Sequence, residues 1–322
     1  MEIARHGYMG VKGVPPLSAT AFFPLIPLII HILTPWGAWL LTQAIFAADL
    51  WLLQQLLRNW QWSVADGHWT LLFFALNPAA VYYSTLYAEP WTVFFTLLAI
   101  TVARHRRWLS ASVMGVCSAL TQGMGGLTGT FPLATFVLAA TRGDWRQWRG
   151  AFLWGIGTGL GLLFYIGYLG VNFHHPMLFS SIQSSPFWSA HWEWPWAQWW
   201  AGAKYITFHI NSAEGLLVGI NWWIINVYIL AAVVLWVHWS RDPGRWEWME
   251  FPMYATFGLL VSLSFSQSHH LFHSTARLVS IYFPLYIGMA RFPIFFRKLL
   301  LIVFLALAVI GAVLFTHQWF FQ

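Results

Sequence analysis

From residue 21 to the C-terminus, apolar runs follow one another with only short polar breaks. Many come close to the roughly 20 residues that carry a helix across a bilayer. That repetition leaves few folds open. An ordinary soluble domain carries about 25% charged residues, whereas this chain is 8% charged and 59% hydrophobic. No soluble fold of 322 residues could hide so much apolar surface. The sequence therefore predicts an all-α, polytopic transmembrane helical bundle of about nine to ten membrane segments. It reads as one integral membrane domain over residues 1–322, with no soluble domain attached.

Residues 1–20 are polar, contain glycine and proline, and lack the apolar core of a signal peptide. Phe22 to Leu33 is apolar but short and holds Pro24 and Pro27, which predicts a re-entrant or interfacial piece. Spans are then expected at Trp36–Leu57, Trp69–Tyr87 (interrupted by Pro78), Glu89–Ala103, Trp108–Thr121, Leu127–Ala140 and Gly150–Val171. Residues 172–212 read as a long polar, Trp-rich loop. Further spans are expected near Leu216–Trp239, Phe251–Phe265, Leu278–Ala290 and Leu299–Thr316.

Cytoplasmic loops of membrane proteins carry an excess of Lys and Arg. With residues 1–20 outside, twelve of the sixteen Lys and Arg residues fall on the cytoplasmic side. Only Arg5, Lys12, Lys204 and Arg277 lie outside. The net charge of +6 is thus a topology signal, and no nucleic-acid partner is needed to explain it. Residues 1–20, Tyr87–Glu89, the Trp-rich loop and Ser266–Arg277 then share the extracytoplasmic face.

Ionisable groups at a membrane boundary are costly and mark functional sites by default. Glu89 closes the stretch Asn77–Pro90 and is a candidate base, although a carboxylate at a helix start is also favoured by the helix dipole. Arg277 is a candidate phosphate ligand or an interfacial cation. His269, His270 and His273 crowd one loop, but without a neighbouring carboxylate or cysteine the metal signal is weak. Asp49 lies inside an apolar helix, where a polar neighbour such as Gln43 could pair with it. Cys117, the one cysteine, reads as packing filler. The tryptophans between Trp188 and Trp200 suit a membrane-interface belt or a sugar-stacking surface. Gly123–Gly129 permits a tight turn or close helix packing, with no preceding strand or lysine to make a nucleotide loop.

Five segments, in order, resemble the PIG-V-type mannosyltransferases, the GPI mannosyltransferase type with its bacterial relatives. Asn77-Pro78-Ala79 through Leu86-Tyr87-Ala88-Glu89 resembles the family's NPA…SLYSE signature. Ile3-Ala4-Arg5-His6-Gly7-Tyr8 with Ala21-Phe22-Phe23-Pro24-Leu25 resembles its "IA..GY…AFFPL.P" segment. Arg107-Trp108 to Thr121 and Gly123–Gly126 resemble "RW…G…ALTR..G", with Gln122 where the family usually has Arg. Phe179 to Trp196, including Gln183, resembles "F..Q…W….PW". Arg277 with Tyr282-Phe283-Pro284-Leu285 resembles "S..RY…FPLF". In the family a first transmembrane helix and a Trp-Asp motif precede the "IA..GY" segment. Here the resemblance starts at Met1, so the expectation is that both lie upstream of residue 1.

The resemblance implies a GT-C glycosyltransferase fold and transfer of a sugar, typically mannose, from a polyprenyl-phosphate carrier to a lipid or glycan acceptor on the extracytoplasmic face. It implies Glu89, with Glu2 as the only N-terminal acid, as catalytic candidates. His6, Tyr8, Asn77, Tyr87, Gln122, Gln183 and Arg277 are the implied substrate-binding residues. A carboxylate can take the acceptor's proton and a cation can hold the leaving phosphate. No nucleotide-sugar DxD pattern occurs, so a divalent metal is not required and no cofactor beyond the lipid-linked donor is expected. The expected location is the plasma membrane for a bacterial source and the endoplasmic reticulum for a eukaryotic one. Two other classes remain open at this level. One is a non-catalytic paralogue that binds the lipid-linked sugar. The other is a lipid-linked-substrate transporter, for which an internal inverted repeat would speak.

Overall fold

The structure, a computed structural model, describes residues 2–8, 17–60, 62–209, 211–241, 248–267, 271–272 and 274–317. Helices make up 81% of it. In chain order these are α1 (Glu2–His6), α2 (Leu25–Asn59), α3 (Val64–Ala75), α4 (Ala80–Tyr83), α5 (Glu89–Arg104), α6 (Trp108–Thr121), α7 (Thr130–Thr141) and α8 (Trp145–Phe173). The second half holds α9 (Leu178–Ser181), α10 (Pro195–His209), α11 (Ala213–Arg241), α12 (Glu250–Ser264), α13 (Thr275–Ser280), α14 (Pro284–Met289) and α15 (Ile294–Thr316). Two three-residue strands, β1 (Ala190–Trp192) and β2 (Phe265–Gln267), pair antiparallel with Ala190 opposite Gln267.

Among the described residues, five helical segments are long and apolar enough to cross a membrane: Leu25–Asn59, Gly123–Thr141, Trp145–Phe173, Glu214–Arg241 and Ile294–Thr316. The nine to ten segments expected from apolar runs overstate the long helices, because several runs are divided or short. Trp69–Tyr87 is interrupted at Pro78, as its sequence predicts. Pro78 has no N–H to continue a helix, and the chain ends α3 at Ala75 and restarts as the four-residue α4. Leu278–Ala290 is likewise split into α13 and α14. Every residue from 279 to 290 is buried. Irregular backbone at membrane depth is tolerated only where protein encloses it, and this segment forms the middle of the main core with Tyr83, Phe131, Tyr228 and Tyr254.

The expected break after Leu33 is present: Thr34 (φ 64°, ψ 164°) is non-helical and Pro35 follows, so α2 is two helical pieces that meet at a kink. The 24 residues beyond the kink rise about 36 Å, enough to span. Residues 172–212 are not a loop throughout, since they contain α9, β1 and the 15-residue α10. Trp199 and Gly202 of α10 rest on Trp222 of α11, leaving Trp196, Trp200 and Phe208 exposed.

Close helix contact carries the first half of the bundle. Small residues let membrane helices approach until backbones touch. On α8, Gly157 meets Ser112 of α6, and a Cβ on Gly161 would stand 2.6 Å from the Val116 carbonyl oxygen. On the other side of α6, hydroxyls join it to α5. Thr92 bonds Thr121 (2.6 Å), and Thr96 bonds both Ser118 (3.2 Å) and Thr128 (2.7 Å). All five are buried, where no water can replace a lost partner.

Candidate active site

The Asn77–Pro90 stretch is shaped by its first residue. The Asn77 amide donates to the Phe74 carbonyl (2.8 Å) and its oxygen accepts from the Ala79 N–H (2.8 Å). Such a turn closes the chain on itself after α3. The side chain is fully buried, so Asn77 shapes the turn from inside the protein. The Ser84 carbonyl receives Trp39 and Gln43 of α2, each at 3.0 Å. Gln43 is therefore engaged here and not with Asp49.

From this turn the chain enters α5 at Glu89, followed by Pro90 within the first turn. That position suits both residues: proline needs no N–H there, and a carboxylate is favoured by the helix dipole. Glu89 is 1% exposed. Its Oε1 lies 3.1 Å from Nε of Arg277, across 188 residues of sequence. The convergence has a mechanical cause. Tyr83 donates to the Ser280 carbonyl (2.9 Å), which ties α4 to the end of α13. Arg277 stands one turn before Ser280, whose hydroxyl donates to the Arg277 carbonyl (2.6 Å).

Two rings complete the surroundings. The Arg277 guanidinium lies 5.3 Å from the centre of the Tyr82 ring and 5.5 Å from that of Tyr87. The rings meet edge to face at 4.9 Å. The Arg277 side chain is 26% exposed, so one side of the cation is open while the carboxylate is enclosed. The second Glu89 oxygen has no hydrogen-bond partner among the described residues, and the Arg277 Nε–H is not aligned on the first. The pair is held by charge and proximity more than by a directed hydrogen bond.

No protein-family model, curated protein or solved structure matches this chain. The site is therefore read from its own geometry. Glu89, Tyr87 and Arg277, singled out in the sequence, come together. Tyr82 joins them; it lay inside the singled-out stretch, but nothing in its spacing told it apart from Tyr83, which turns into the core.

The remaining sequence candidates lie elsewhere. Gln122 caps α6 and its amide donates to Thr92 (3.1 Å), one turn along α5 from Glu89. Glu2 and His6 face each other at 3.8 Å on the exposed side of α1. No hydrogen bond or ion pair joins either to Glu89 or Arg277 among the described residues. Helix α1 does approach this end of the bundle, since Ala4 packs with Trp91, Leu86 and Ala88. Tyr8 is packed into an aromatic cluster with Tyr165, and both hydroxyls donate to the Phe22 carbonyl, at 2.9 and 3.0 Å. Gln183 is half-buried in a short 3-10 turn beside residues 18–21, near Trp188, whose N–H reaches the Ser18 carbonyl (3.2 Å). His269, His270 and His273 lie outside the described residues.

The arginines of a second set of ion pairs read, in the sequence, as membrane-orientation signals alone. Asp66 of α3 sits between Arg291 (3.1 Å) and Arg297 (3.2 Å). Arg104 of α5 pairs with the buried Glu250 of α12. These arginines lock helix ends as well as setting charge.

Proposed function

We propose that the chain is a membrane glycosyltransferase that moves a sugar, mannose in the first instance, from a polyprenyl-phosphate carrier to a lipid or glycan acceptor on the extracytoplasmic face. The observation that carries this reading is the enclosed Glu89 beside the partly open Arg277, with two tyrosine rings at the same place. Phosphate on a lipid carrier needs a cation, and a sugar ring needs apolar faces and a few hydrogen-bonding groups. Both are present within one side-chain length.

In this reading the carrier phosphate enters on the open side of Arg277 and takes the guanidinium from Glu89. The freed carboxylate accepts the proton of the attacking hydroxyl. The acceptor oxygen bonds to the sugar C1, the C1–O bond to phosphate breaks, and Arg277 stabilises the departing negative charge. The charge distribution of the loops supports an extracytoplasmic site, because Arg277 is one of the four cations outside the basic cytoplasmic set. The ordered sequence segments support the same donor class.

One observation favours a second reading, carrier binding without turnover: the only acid in the site is already neutralised by its cation at 3.1 Å. A single experiment separates the two. The full gene product is reconstituted in liposomes with radiolabelled polyprenyl-phosphate mannose and a lipid acceptor fraction. Transfer lost in Glu89→Gln with donor binding retained supports the enzyme. Donor binding with no transfer by the unaltered protein supports the carrier-binding reading, and neither binding nor transfer with any polyprenyl-phosphate sugar refutes both.

A further inference from the structure

Asp49 stands in the middle of α2, ten residues before its end at Asn59, or about 15 Å of helix. It is fully buried, and neither carboxyl oxygen has a hydrogen-bond partner among the described residues. No other described acid is in this position. Glu2, Asp66, Glu89, Asp144, Glu193 and Glu250 each face a basic side chain. Glu214 is exposed. The surroundings of Asp49 are apolar. Leu52 and Leu53 follow it into the core on the next turn. Phe46, one turn earlier, packs on Phe74 (6.0 Å) and Tyr83 (5.3 Å).

Among the described residues no Lys, Arg or His is paired with Asp49, and Tyr83 of α4 packs on Phe46 one turn away. Tyr83 commits its own proton to Ser280. An ionised carboxylate left in such a place, without cation or donor, is far costlier than a neutral acid.

We propose that Asp49 is a proton-binding site inside the membrane: a carboxylic acid that stays protonated because, unlike Glu89 and Asp66, it has no arginine beside it among the described residues. The ligand is a proton. This inference does not rest on glycosyl transfer, and it stands or falls separately.

The test uses the full chain in lipid vesicles. Infrared spectra of the unaltered protein and Asp49→Asn are compared at pH 7. The expected result is loss of one protonated-carboxyl carbonyl band in the variant, with the ionised carboxylate bands unchanged. Loss of carboxylate intensity instead overturns the proposal, because Asp49 would then be ionised. If Asp49→Asn does not fold, the unaltered protein is produced with aspartate isotope-labelled at the side-chain carboxyl carbon. A protonated-carboxyl carbonyl band at pH 7 that moves to lower frequency with the label supports the proposal. The absence of any aspartate protonated-carboxyl band overturns it.

Discussion

Replacing Arg277 with Met keeps the unbranched stem as far as Nε and removes the charged end. Two unit charges 3.1 Å apart attract by roughly 5 kcal/mol at an effective dielectric constant of about 20. Most of that attraction is offset by the cost of removing Glu89 from water, so it does not measure the pair's net worth. The cost of the single change comes from what it leaves behind, an acid 1% exposed that has lost its cation and must either stay charged or take up a proton. Breaking a buried pair from one side costs about 3–5 kcal/mol. Arg277 is a quarter open, which places the loss near about 3 kcal/mol. The two tyrosine contacts add about 1 kcal/mol. Arg277→Met should therefore destabilise by about 4 kcal/mol. The double variant Glu89→Gln/Arg277→Met, which strands no charge, should be about 2 kcal/mol more stable than Arg277→Met alone. Cys117, the single and half-buried cysteine of α6, offers the assay. Its reaction with a fluorogenic maleimide reports opening of the bundle as denaturant is raised in lipid nanodiscs. If the double variant is no more stable than Arg277→Met, charge pairing is not what retains Glu89, and the reasoning fails.

Other outcomes follow from the same coordinates. Gly161→Val puts side-chain atoms where the Val116 carbonyl and Ala119 already stand, 2.6 and 2.8 Å from the new Cβ. It should separate α6 from α8 at a cost of more than about 3 kcal/mol, read by the same thiol assay. Thr34→Gly should stabilise by about 1 kcal/mol, because Thr34 holds a backbone conformation (φ 64°, ψ 164°) that is essentially glycine's alone; no gain in denaturant midpoint would show that the kink is unstrained. Asp66→Asn releases Arg291 and Arg297 together and should cost about 2–3 kcal/mol, and an unchanged midpoint would reduce this cluster to a surface feature. In a Cys117→Ala background, Lys204→Cys should react with an impermeant maleimide from outside intact cells and Arg107→Cys only after lysis. The reverse pattern would invert the charge-derived orientation.

The sequence carried the class of fold in its apolar runs and the meeting of Glu89 with Arg277 in its charge distribution and ordered motifs. Two positions 188 residues apart are placed on one face by counting crossings, and an odd number of misjudged spans would have separated them. The errors that did occur were compensated. Splitting Leu278–Ala290 before Pro284 changed the helices without moving these two ends apart. That division was not legible because hydropathy records apolar length and not whether lipid or protein surrounds it; residues 279–290 are as apolar as a span and lie wholly inside the protein. The partnership of Asp66 with Arg291 and Arg297 was hidden for another reason. A general rule had already explained those arginines, so nothing in the sequence asked for a second task. Helix α10 was missed because tryptophan density reads equally well as an interfacial loop.

The hydroxyl contacts between α5 and α6 have a consequence for the site. Thr92 and Thr96 follow Glu89 down the same helix, and each is matched to a specific oxygen on its neighbours. Turning α5 by a single residue, about 100°, would break all of these matches at once in a medium with no substitute donors. The bearing of the Glu89 carboxylate is thus indexed like a key in a slot, with one permitted angle. Arg277 hangs from a six-residue helix moored at one end by Tyr83. In the proposed reaction the acid would be the anvil, and adjustment to the carrier phosphate would fall to the cation.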